Sequence, residues 1–220
     1  IEEFKRDVVC VIVDEVHMAK ADVLRRLLSN VFGQVPIRWG LTGTIPKADH
    51  DFKSLHVSIG NVINRVSAKE LQDKGLLANL NIEVMQMVDF CEYKNYREEQ
   101  TFLVTKQHRI DYIGRLVEQM AKTGNTLILV DRIKTGELLQ EAVPGSTFVS
   151  GATKADDRKE TYDEVRESEG KVIIATYGVA SVGINLPRIF NLVLLEPGKS
   201  FVRVIQSIGR GIRKAKDKDF

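Results

Sequence analysis

The sequence predicts an α/β protein in which parallel sheets are covered by helices on both faces. Short runs rich in Val and Ile, such as 8–13 and 171–176, are apolar at nearly every position, which is typical of strands buried on both faces. The segments between such runs place their apolar residues at helical spacing, and strands that alternate with helices form parallel sheets. The chain has 220 residues, of which 43% are hydrophobic, so it can bury a sizeable core.

The first 79 residues are predicted to form part of one α/β unit. Strands are expected at 8–13 and 37–41, and helices at 23–31, 51–59 and 67–75. Gly33 follows the first of these helices at the position of a C-terminal cap. Ser67 and Glu70 form a capping box, which marks the start of the last helix.

After a boundary near Asn79, residues 80–220 are predicted to form a nearly complete second unit. Its strands are expected at 80–88, 126–130, 147–149, 171–176 and 190–195, and its helices at 93–120, 134–142, 155–167 and 200–212. The strand at 80–88 is inferred from partial alternation, whereas the others follow from continuous apolar runs. Thr153 is expected to cap the helix that begins at 155.

The composition excludes several classes of protein. With 28% charged residues, 16 Gly and 5 Pro, the chain is neither collagen-like nor largely disordered. No apolar stretch approaches the roughly 20 residues of a membrane-spanning helix, so we expect no membrane partner. Cys10 and Cys91 cannot build a disulfide framework or a four-cysteine zinc site. We therefore expect a reducing, cytoplasmic location.

The charge is unevenly distributed although the net charge is only +2. Residues 199–220 contain seven basic and two acidic side chains, whereas residues 156–169 contain seven acidic and three basic ones. A basic segment of this kind often binds phosphate groups. The alternative is a solvated helix end.

Two carboxylates, Asp14 and Glu15, directly follow the first predicted strand. Such a pair is costly at the end of a buried strand unless a ligand uses it. In nucleotide hydrolases the first carboxylate holds Mg²⁺, and the second orients or deprotonates the attacking water. The alternative is an acidic pair that caps the next helix. His17 either senses the state of a nucleotide or is a structural histidine.

Two further groups of small polar residues follow predicted strands. Thr42 and Thr44 flank Gly43 after the second strand, where they bind a phosphate or the nearby carboxylates, or simply form a turn. Thr176 ends the strand at 171–176 and is followed by a loop with Gly183 and Asn185. Because ligands bind beyond the carboxyl ends of parallel strands, these positions are candidates for phosphate and ribose contacts.

The helix predicted at 200–212 contains Gln206 and Arg210, with Arg213 directly after it. Spacings of three and four residues place these side chains on one side of the helix. Guanidinium groups suit a triphosphate whose charge shifts during transfer, and an arginine finger contributes roughly 10³–10⁵ in rate. The alternative is a basic helix end that complements the helix dipole. Gly209 and Gly211 argue against that alternative, and close packing against a ligand or another domain would explain them.

Taken together, these motifs resemble those of superfamily 2 helicases of the DExH type. Asp14-Glu15-x-His17, Thr42-Gly43-Thr44, the Thr176 to Asn185 segment and the Gln206 to Arg213 segment are similar to motifs II, III, V and VI, in the right order. Residues 127–130 resemble motif IV, and Ser150-Gly151 resembles the element that contacts the backbone of the tracking strand. Residues 173–213 are similar to the UvsW-type helicases of T-even-like phages.

The resemblance implies two tandem RecA-like domains, the first incomplete, at 1–79 and 80–220. It implies ATP and Mg²⁺ as cofactors and DNA, single-stranded or branched, as partner; RNA is the alternative. On this resemblance, Asp14 would bind Mg²⁺, Glu15 would activate water, and His17 would take part in catalysis. Thr42 and Thr44 would couple the nucleotide site to nucleic acid, and the strand would be contacted by Ser150, Gly151 and Thr176. The nucleotide would be contacted by Gly183, Asn185, Gln206, Arg210 and Arg213.

One part of the family pattern is missing, the P-loop that cradles phosphates. The only Gly-Lys-Ser is Gly198-Lys199-Ser200, and Val193 stands where the first Gly of a P-loop belongs. In the family the P-loop precedes the Asp-Glu motif, so we expect it in an N-terminal portion upstream of residue 1. We expect residues 1–220 alone neither to hydrolyse ATP nor to unwind.

Two other classes of function are alternatives to a motor. A nucleic-acid-binding module that has lost catalysis would leave Asp14, Glu15, Arg210 and Arg213 with little to do. A dehydrogenase is disfavoured because no Gly-x-Gly-x-x-Gly follows any predicted strand.

Overall fold

The computed structural model describes residues 2–20, 22–46, 48–181, 186, 188–195, 200–211, 213–215 and 217–218. Side chains are described for these residues except 2–3, 19–20, 22, 181, 201–202 and 210, for which the structure describes the backbone only. The chain divides into two compact units, residues 1–67 and 68–220.

The first unit contains a two-stranded parallel sheet and short helices. Its elements in chain order are α1 Glu2–Arg6, β1 Cys10–Val13, a 3₁₀ turn Val16–Lys20, α2 Asp22–Arg26, a π-helical turn Leu27–Val31, β2 Ile37–Gly40 and α3 Asp49–Ile59. Strand β1 pairs with β2 from Cys10 beside Ile37 to Val13 beside Gly40. Val16, Leu28 and Leu55 form a small core that covers one face of this sheet.

The second unit contains a four-stranded parallel sheet in the order β4-β5-β3-β6. Its elements in chain order are α4 Ala68–Asp73, α5 Tyr96–Thr105, α6 Gln107–Ala121, β3 Thr126–Val130, α7 Ile133–Ala142, β4 Thr147–Val149, α8 Ala155–Glu167, β5 Val172–Thr176, α9 Tyr177–Ser181, β6 Asn191–Leu194 and α10 Phe201–Gly211.

Both faces of the second sheet are buried against helices. Alternate residues of β3 and β5 enter one core with Val165 of α8 and Val179 of α9. The intervening residues enter another core with Val117 of α6 and Leu139 of α7. The predicted α/β fold with parallel sheets and covering helices is therefore confirmed.

The two units divide between Ser67 and Ala68, whereas the sequence motifs place a domain boundary near Asn79. Leu77 forms a backbone bridge with Arg213, and the Lys214 ammonium donates to the Gly75 carbonyl at 3.1 Å. These contacts explain why residues 68–79 belong to the second unit.

The strand predicted at 80–88 is wrong, because residues 80–88 form no regular secondary structure. Val84 is 90% exposed and Val88 is 65% exposed, so the alternating pattern does not mark a face that packs on a core. Among the described residues no strand pairs with this segment. Alternation predicts a strand only where a neighbouring strand accepts its hydrogen bonds.

Two details of the predicted helices also differ. The helix expected at 93–120 is two helices, because Lys106 adopts an extended backbone conformation (ψ 123°) between α5 and α6. Thr153 does not cap α8; its hydroxyl accepts from the Ser150 N–H at 3.0 Å, and Lys154 is the N-cap residue.

Within the described part of the chain, no helix is both long enough and apolar enough to cross a membrane.

Candidate functional site

The carboxyl ends of β1 and β2 are hydrogen-bonded to each other's following loops. The Leu41 N–H donates to the Val13 carbonyl at 2.8 Å, and the Val16 N–H donates to the Leu41 carbonyl at 2.9 Å. A Cβ on Gly40 would lie 2.8 Å from Val16 Cγ1, so glycine allows this close approach. The segments that carry the Asp-Glu and Thr-Gly-Thr motifs are therefore adjacent.

Asp14 and Glu15 are both exposed at this edge of the sheet. Glu15 adopts a left-handed backbone conformation (φ 51°), which costs roughly 1–2 kcal/mol for a residue with a Cβ. Its N–H donates to Asp14 Oδ1 at 2.8 Å, which offsets part of this cost. Strained backbone of this kind concentrates at functional sites.

His17 is buried and joins the two motifs. Its Nδ1 lies 2.9 Å from Thr42 Oγ1 and 3.3 Å from Glu15 Oε2. The Thr42 hydroxyl accepts from the Thr44 N–H and donates its own hydrogen to the Thr44 carbonyl, both at 3.1 Å. Because that hydrogen is already used, we assign the proton to His17 Nδ1, which then donates towards Thr42 and Glu15.

Thr44 is buried, and its hydroxyl has no hydrogen-bond partner among the described residues. The structure thus brings Asp14, Glu15, His17, Thr42 and Thr44 together in the first unit. The roles of these residues stay predictions.

The site fits a Mg²⁺ ion held in the manner of nucleotide hydrolases. Among the described residues there is no group of three or more His, Cys, Asp or Glu side chains that could hold a metal. Mg²⁺ does not need one, because it is commonly bound by one or two carboxylates, substrate phosphates and water. The exposed carboxylate of Asp14, at the end of a parallel strand, is suited to this mode of binding.

In the second unit, four strand ends meet at one edge of the sheet. Strand pairing places Val149 beside Ala175 and Thr176 beside Val130, and the Leu195 N–H donates to the Leu129 carbonyl at 3.0 Å. The residues that follow the four strands are Ser150, Tyr177, Asp131 and Leu195. The predicted strand-contact residues Ser150 and Thr176 therefore lie at neighbouring strand ends.

Ser150 is buried and organises the loop between β4 and α8. Its hydroxyl accepts from the Ala152 N–H at 3.3 Å, and its carbonyl accepts from the Thr153 N–H at 3.1 Å. Gly151 is exposed, and a Cβ there would meet nothing within 4 Å. This loop leaves open space beside Gly151, where a ligand backbone could approach.

The helix of motif VI is α10. Gln206 and Arg213 are partly buried, and only the backbone of Arg210 is described. Gly211 packs on β6, since a Cβ there would lie 3.1 Å from Leu192 Cδ2, so its small size is explained within its own unit. Gly209 faces open space, which leaves room for a ligand. Gly183, Asn185 and Gly198-Lys199 lie outside the described residues.

Sequence reasoning missed a cluster at the same edge of the second sheet. Arg203 Nη1 donates to Asp131 Oδ1 at 2.7 Å, and its guanidinium carbon lies 5.1 Å from the centre of the Tyr177 ring. Asp131 and Tyr177 directly follow predicted strands, and Arg203 lies three residues before Gln206. Applying the strand-end rule to every strand would have identified Asp131 and Tyr177 as candidates, but not their contact with Arg203.

Known proteins with similar sequences or folds were found in three comparisons. "ATP-dependent DNA helicase uvsW" of Enterobacteria phage T4 is 23% identical over 212 residues, which cover 91% of this chain and 42% of the phage protein. The chain thus spans less than half of the length of that relative.

Two solved structures are similar in fold. One is the ATP-dependent Type ISP restriction-modification enzyme LlaBIII bound to DNA, with a TM-score of 0.61 and 16% sequence identity. The match covers 100% of this chain and 18% of the LlaBIII chain. The other is Dbp5 of S. cerevisiae bound to RNA and ADP BeF3, with a TM-score of 0.51 and 18% sequence identity. The match covers 96% of this chain and 54% of the Dbp5 chain. At these identities the similarity shows the fold alone.

A family model described as the helicase conserved C-terminal domain matches residues 76–215. This range contains all strands of the second sheet together with α10 and Arg213. The helicase resemblance predicted from the motifs is confirmed by this match and by the phage relative. The protein therefore belongs to the helicase conserved C-terminal domain family.

Proposed function

We propose that the chain is part of an ATP-dependent DNA helicase or translocase that couples ATP hydrolysis to movement on, or remodelling of, branched DNA. The observation that carries this proposal is the hydrogen bond between His17 and Thr42. It joins the motif that would handle ATP to the motif that would report on nucleic acid. A coupling enzyme needs such a link, since each ligand must bias the state that the other sees.

In the first unit, Asp14 would hold Mg²⁺, which when bound neutralises charge on the phosphates. Glu15 would orient the attacking water and accept its proton. Its left-handed backbone supports this role, because strained backbone of this kind concentrates at functional sites. His17 would then pass the state of Glu15 to Thr42, since its Nδ1 is within reach of both side chains.

In the second unit, Gln206, Arg210 and Arg213 would bind the phosphates, with Gly183 and Asn185 contributing to the nucleotide site. Arginines suit this task because a guanidinium matches phosphate oxygens in geometry and charge. Ser150, Gly151 and Thr176 would contact the strand backbone, and the open space beside Gly151 supports this assignment. Contacts of this kind read phosphates rather than bases, so specificity would be for DNA shape.

We further propose that the boundary between the two domains lies near Asn79 in the sequence, at 1–79 and 80–220, with residues 68–79 packing on the second unit. We also propose that a P-loop lies in an N-terminal part of the first domain within a longer polypeptide. The bare face of the first sheet supports this, since Ile12 is 58% exposed and Trp39 is 56% exposed. Parallel sheets are normally covered on both faces. The phage relative is also more than twice as long as the matched region. The protein would act in the cytoplasm, that of the host if the gene is viral.

The test is ATP turnover by the complete natural polypeptide, with and without forked DNA, and by residues 1–220 alone. We expect DNA-stimulated turnover in the complete polypeptide and none in residues 1–220. Glu15→Gln keeps the size of the side chain and is expected to abolish turnover while ATP still binds.

Forked RNA of the same sequence is the matched substrate control. Stimulation by RNA and not by DNA would favour an RNA helicase, which the fold similarity to RNA-bound Dbp5 makes a specific second candidate. Binding of DNA without turnover in the complete polypeptide would instead identify a non-catalytic module.

A further inference from the structure

Three side chains from different elements meet where β3, β5 and β6 end. Arg203 of α10 pairs with Asp131, which follows β3, and lies over the ring of Tyr177, which follows β5. The Tyr177 hydroxyl donates to the carbonyl of Leu195, which follows β6, at 3.2 Å. One guanidinium thereby connects the first turns of α10 to three strand ends.

The contacts of this cluster fix the orientation of the Arg203 guanidinium and add little to the stability of the fold. The Arg203 and Asp131 side chains are 39% and 41% exposed, and ion pairs that exposed contribute little to folding. A guanidinium is planar, however, and one that pairs at its edge while stacking on a ring has little freedom to rotate. The Tyr177 ring is buried and thus provides a rigid surface for the stack.

The opposite end of α10 is anchored independently. Gly211 packs against Leu192 of β6, and its carbonyl accepts from the Lys218 ammonium, which also donates to the Ile189 carbonyl. Lys218 is buried. With one anchor at each end, α10 can neither slide along the sheet nor turn about its axis without breaking a contact.

The spacing along α10 connects Arg203 to the motif. Gln206 is three residues after Arg203, and residue 210 is four residues further. Residues at these spacings share one side of a helix, so any rotation that moves Arg203 moves Gln206 and residue 210 by the same angle.

We propose that Arg203 is a positioning residue, held by Asp131 and Tyr177, that sets the rotation of α10 and so presents Gln206, Arg210 and Arg213 to the nucleotide. The inference rests on the proposed function, because the nucleotide contacts of those three residues are themselves proposed. It assigns a task to residues that the helicase motifs leave without one.

The first experiment measures steady-state ATP turnover by the complete polypeptide carrying Asp131→Asn, which keeps the size of the side chain but removes its charge. Misplacing a catalytic group by about 1 Å costs on the order of 100-fold in rate, so we expect kcat to fall about 10-fold to 100-fold. The KM for ATP should stay within about twofold, since an arginine finger acts mainly in the transition state. Lys134→Gln is the matched control, because Lys134 forms an exposed pair with Glu137 within α7.

A charge exchange separates positioning from direct contact with the nucleotide. Asp131→Arg alone places two guanidinium groups together and should reduce kcat most, whereas adding Arg203→Asp restores attraction and should recover most of that loss. If Arg203 itself contacted phosphate, the exchange would not recover kcat, and Arg203→Gln would raise the KM for ATP. Either of those results overturns the proposal.

A second readout does not depend on ATP turnover. Amide hydrogen exchange across 200–211 of the complete polypeptide should be faster in Asp131→Asn and unchanged in Lys134→Gln. Unchanged exchange in Asp131→Asn overturns the proposal even if the parent protein hydrolyses ATP. If exchange is faster in Asp131→Asn but the parent hydrolyses no ATP, the anchoring of α10 is supported and the proposed function is contradicted.

Discussion

The two parallel sheets of this protein differ in how completely they are buried. In the second unit every residue of β3 is buried, and neighbouring side chains enter separate cores on opposite faces. In the first unit β1 and β2 have only one packed face, and Ile12 and Trp39 lie open to solvent on the other. Strands β1 and β3 have similar apolar sequences, but the sheets to which they belong receive different cover.

This difference changes what holds each candidate site in place. The strand ends of the second unit are fixed by packing below them, so Ser150 and Asp131 rest on a rigid support. The loops of the first unit depend on a few hydrogen bonds, chiefly those of His17 and Thr42. The comparison teaches that the second unit contains its own support, whereas the first leaves one face of its sheet open to solvent.

The largest expected effect is a matched pair of truncations in the two sheets. Ile128 in β3 is fully buried, whereas Ile12 in β1 is more than half exposed. We expect Ile128→Ala to lower the free energy of unfolding of the second unit by about 3 kcal/mol, because it leaves a cavity between packed layers. Ile12→Ala in residues 1–220 should change that of the first unit by no more than about 0.5 kcal/mol.

Urea unfolding followed by circular dichroism measures both variants. The single Trp of the chain, Trp39, lies in the first unit, so its fluorescence reports on that unit separately. Equal losses from the two substitutions would show that the sheets are not buried differently in solution.

A smaller effect is expected from placing a charge on the bare face. Ile12→Asp should be tolerated in residues 1–220, where the side chain meets water. In the complete polypeptide it should cost about 2 kcal/mol if further strands or helices cover this face, because an unpaired carboxylate would then be buried. Thermal unfolding of both proteins, each against its own parent, makes the comparison. Equal tolerance in both would mean that the face stays exposed.

Secondary structure was predictable from sequence where the apolar residues of a segment are buried in the fold. The strand predicted at 126–130 matches β3 residue for residue, because its continuous apolar run is buried on both faces of the sheet. Residues 80–88 have a strand-like pattern but no partner strand among the described residues, and hydropathy cannot report a missing partner. The break at Lys106 carries neither Pro nor Gly, so no local signal marked it.

The candidate sites show the same division. The motif residues were found because their order along the chain is distinctive. The left-handed backbone of Glu15 was not predictable, since glutamate rarely adopts it and only the surrounding hydrogen bonds impose it. The cluster of Asp131, Tyr177 and Arg203 joins residues far apart in sequence, and only the folded sheet brings them together.

A more modest effect is expected from removing the hydroxyl that joins the two motifs of the first unit. Thr42→Val keeps the shape of the side chain but removes the acceptor of His17 and of the Thr44 N–H. We expect a loss of about 1 kcal/mol in the unfolding free energy of the first unit, followed by Trp39 fluorescence. Thr161→Val is the matched control, because the hydroxyl of Thr161 donates to the Asp157 carbonyl one turn earlier on α8. Equal effects of the two variants would argue against a special link at Thr42.

The smallest expected effect concerns the segment that precedes α5, which is attached by the ion pairs of Asp89 and by the ring contact between Tyr93 and Phe102. Asp89 accepts from His108 at 2.9 Å and from Arg109, and these contacts lower its pKa, the His108 hydrogen bond most. A lowered pKa in the folded state means that the contribution of Asp89 is present above the pKa of the unfolded chain and is lost as pH falls through the folded value. Asp89→Asn should therefore lower the midpoint of thermal unfolding slightly at pH 7 and not at all once the carboxylate is protonated in the parent. If the difference between variant and parent is instead constant from pH 7 down to strongly acidic pH, the charge of Asp89 does not attach this segment, and its few apolar contacts must do so.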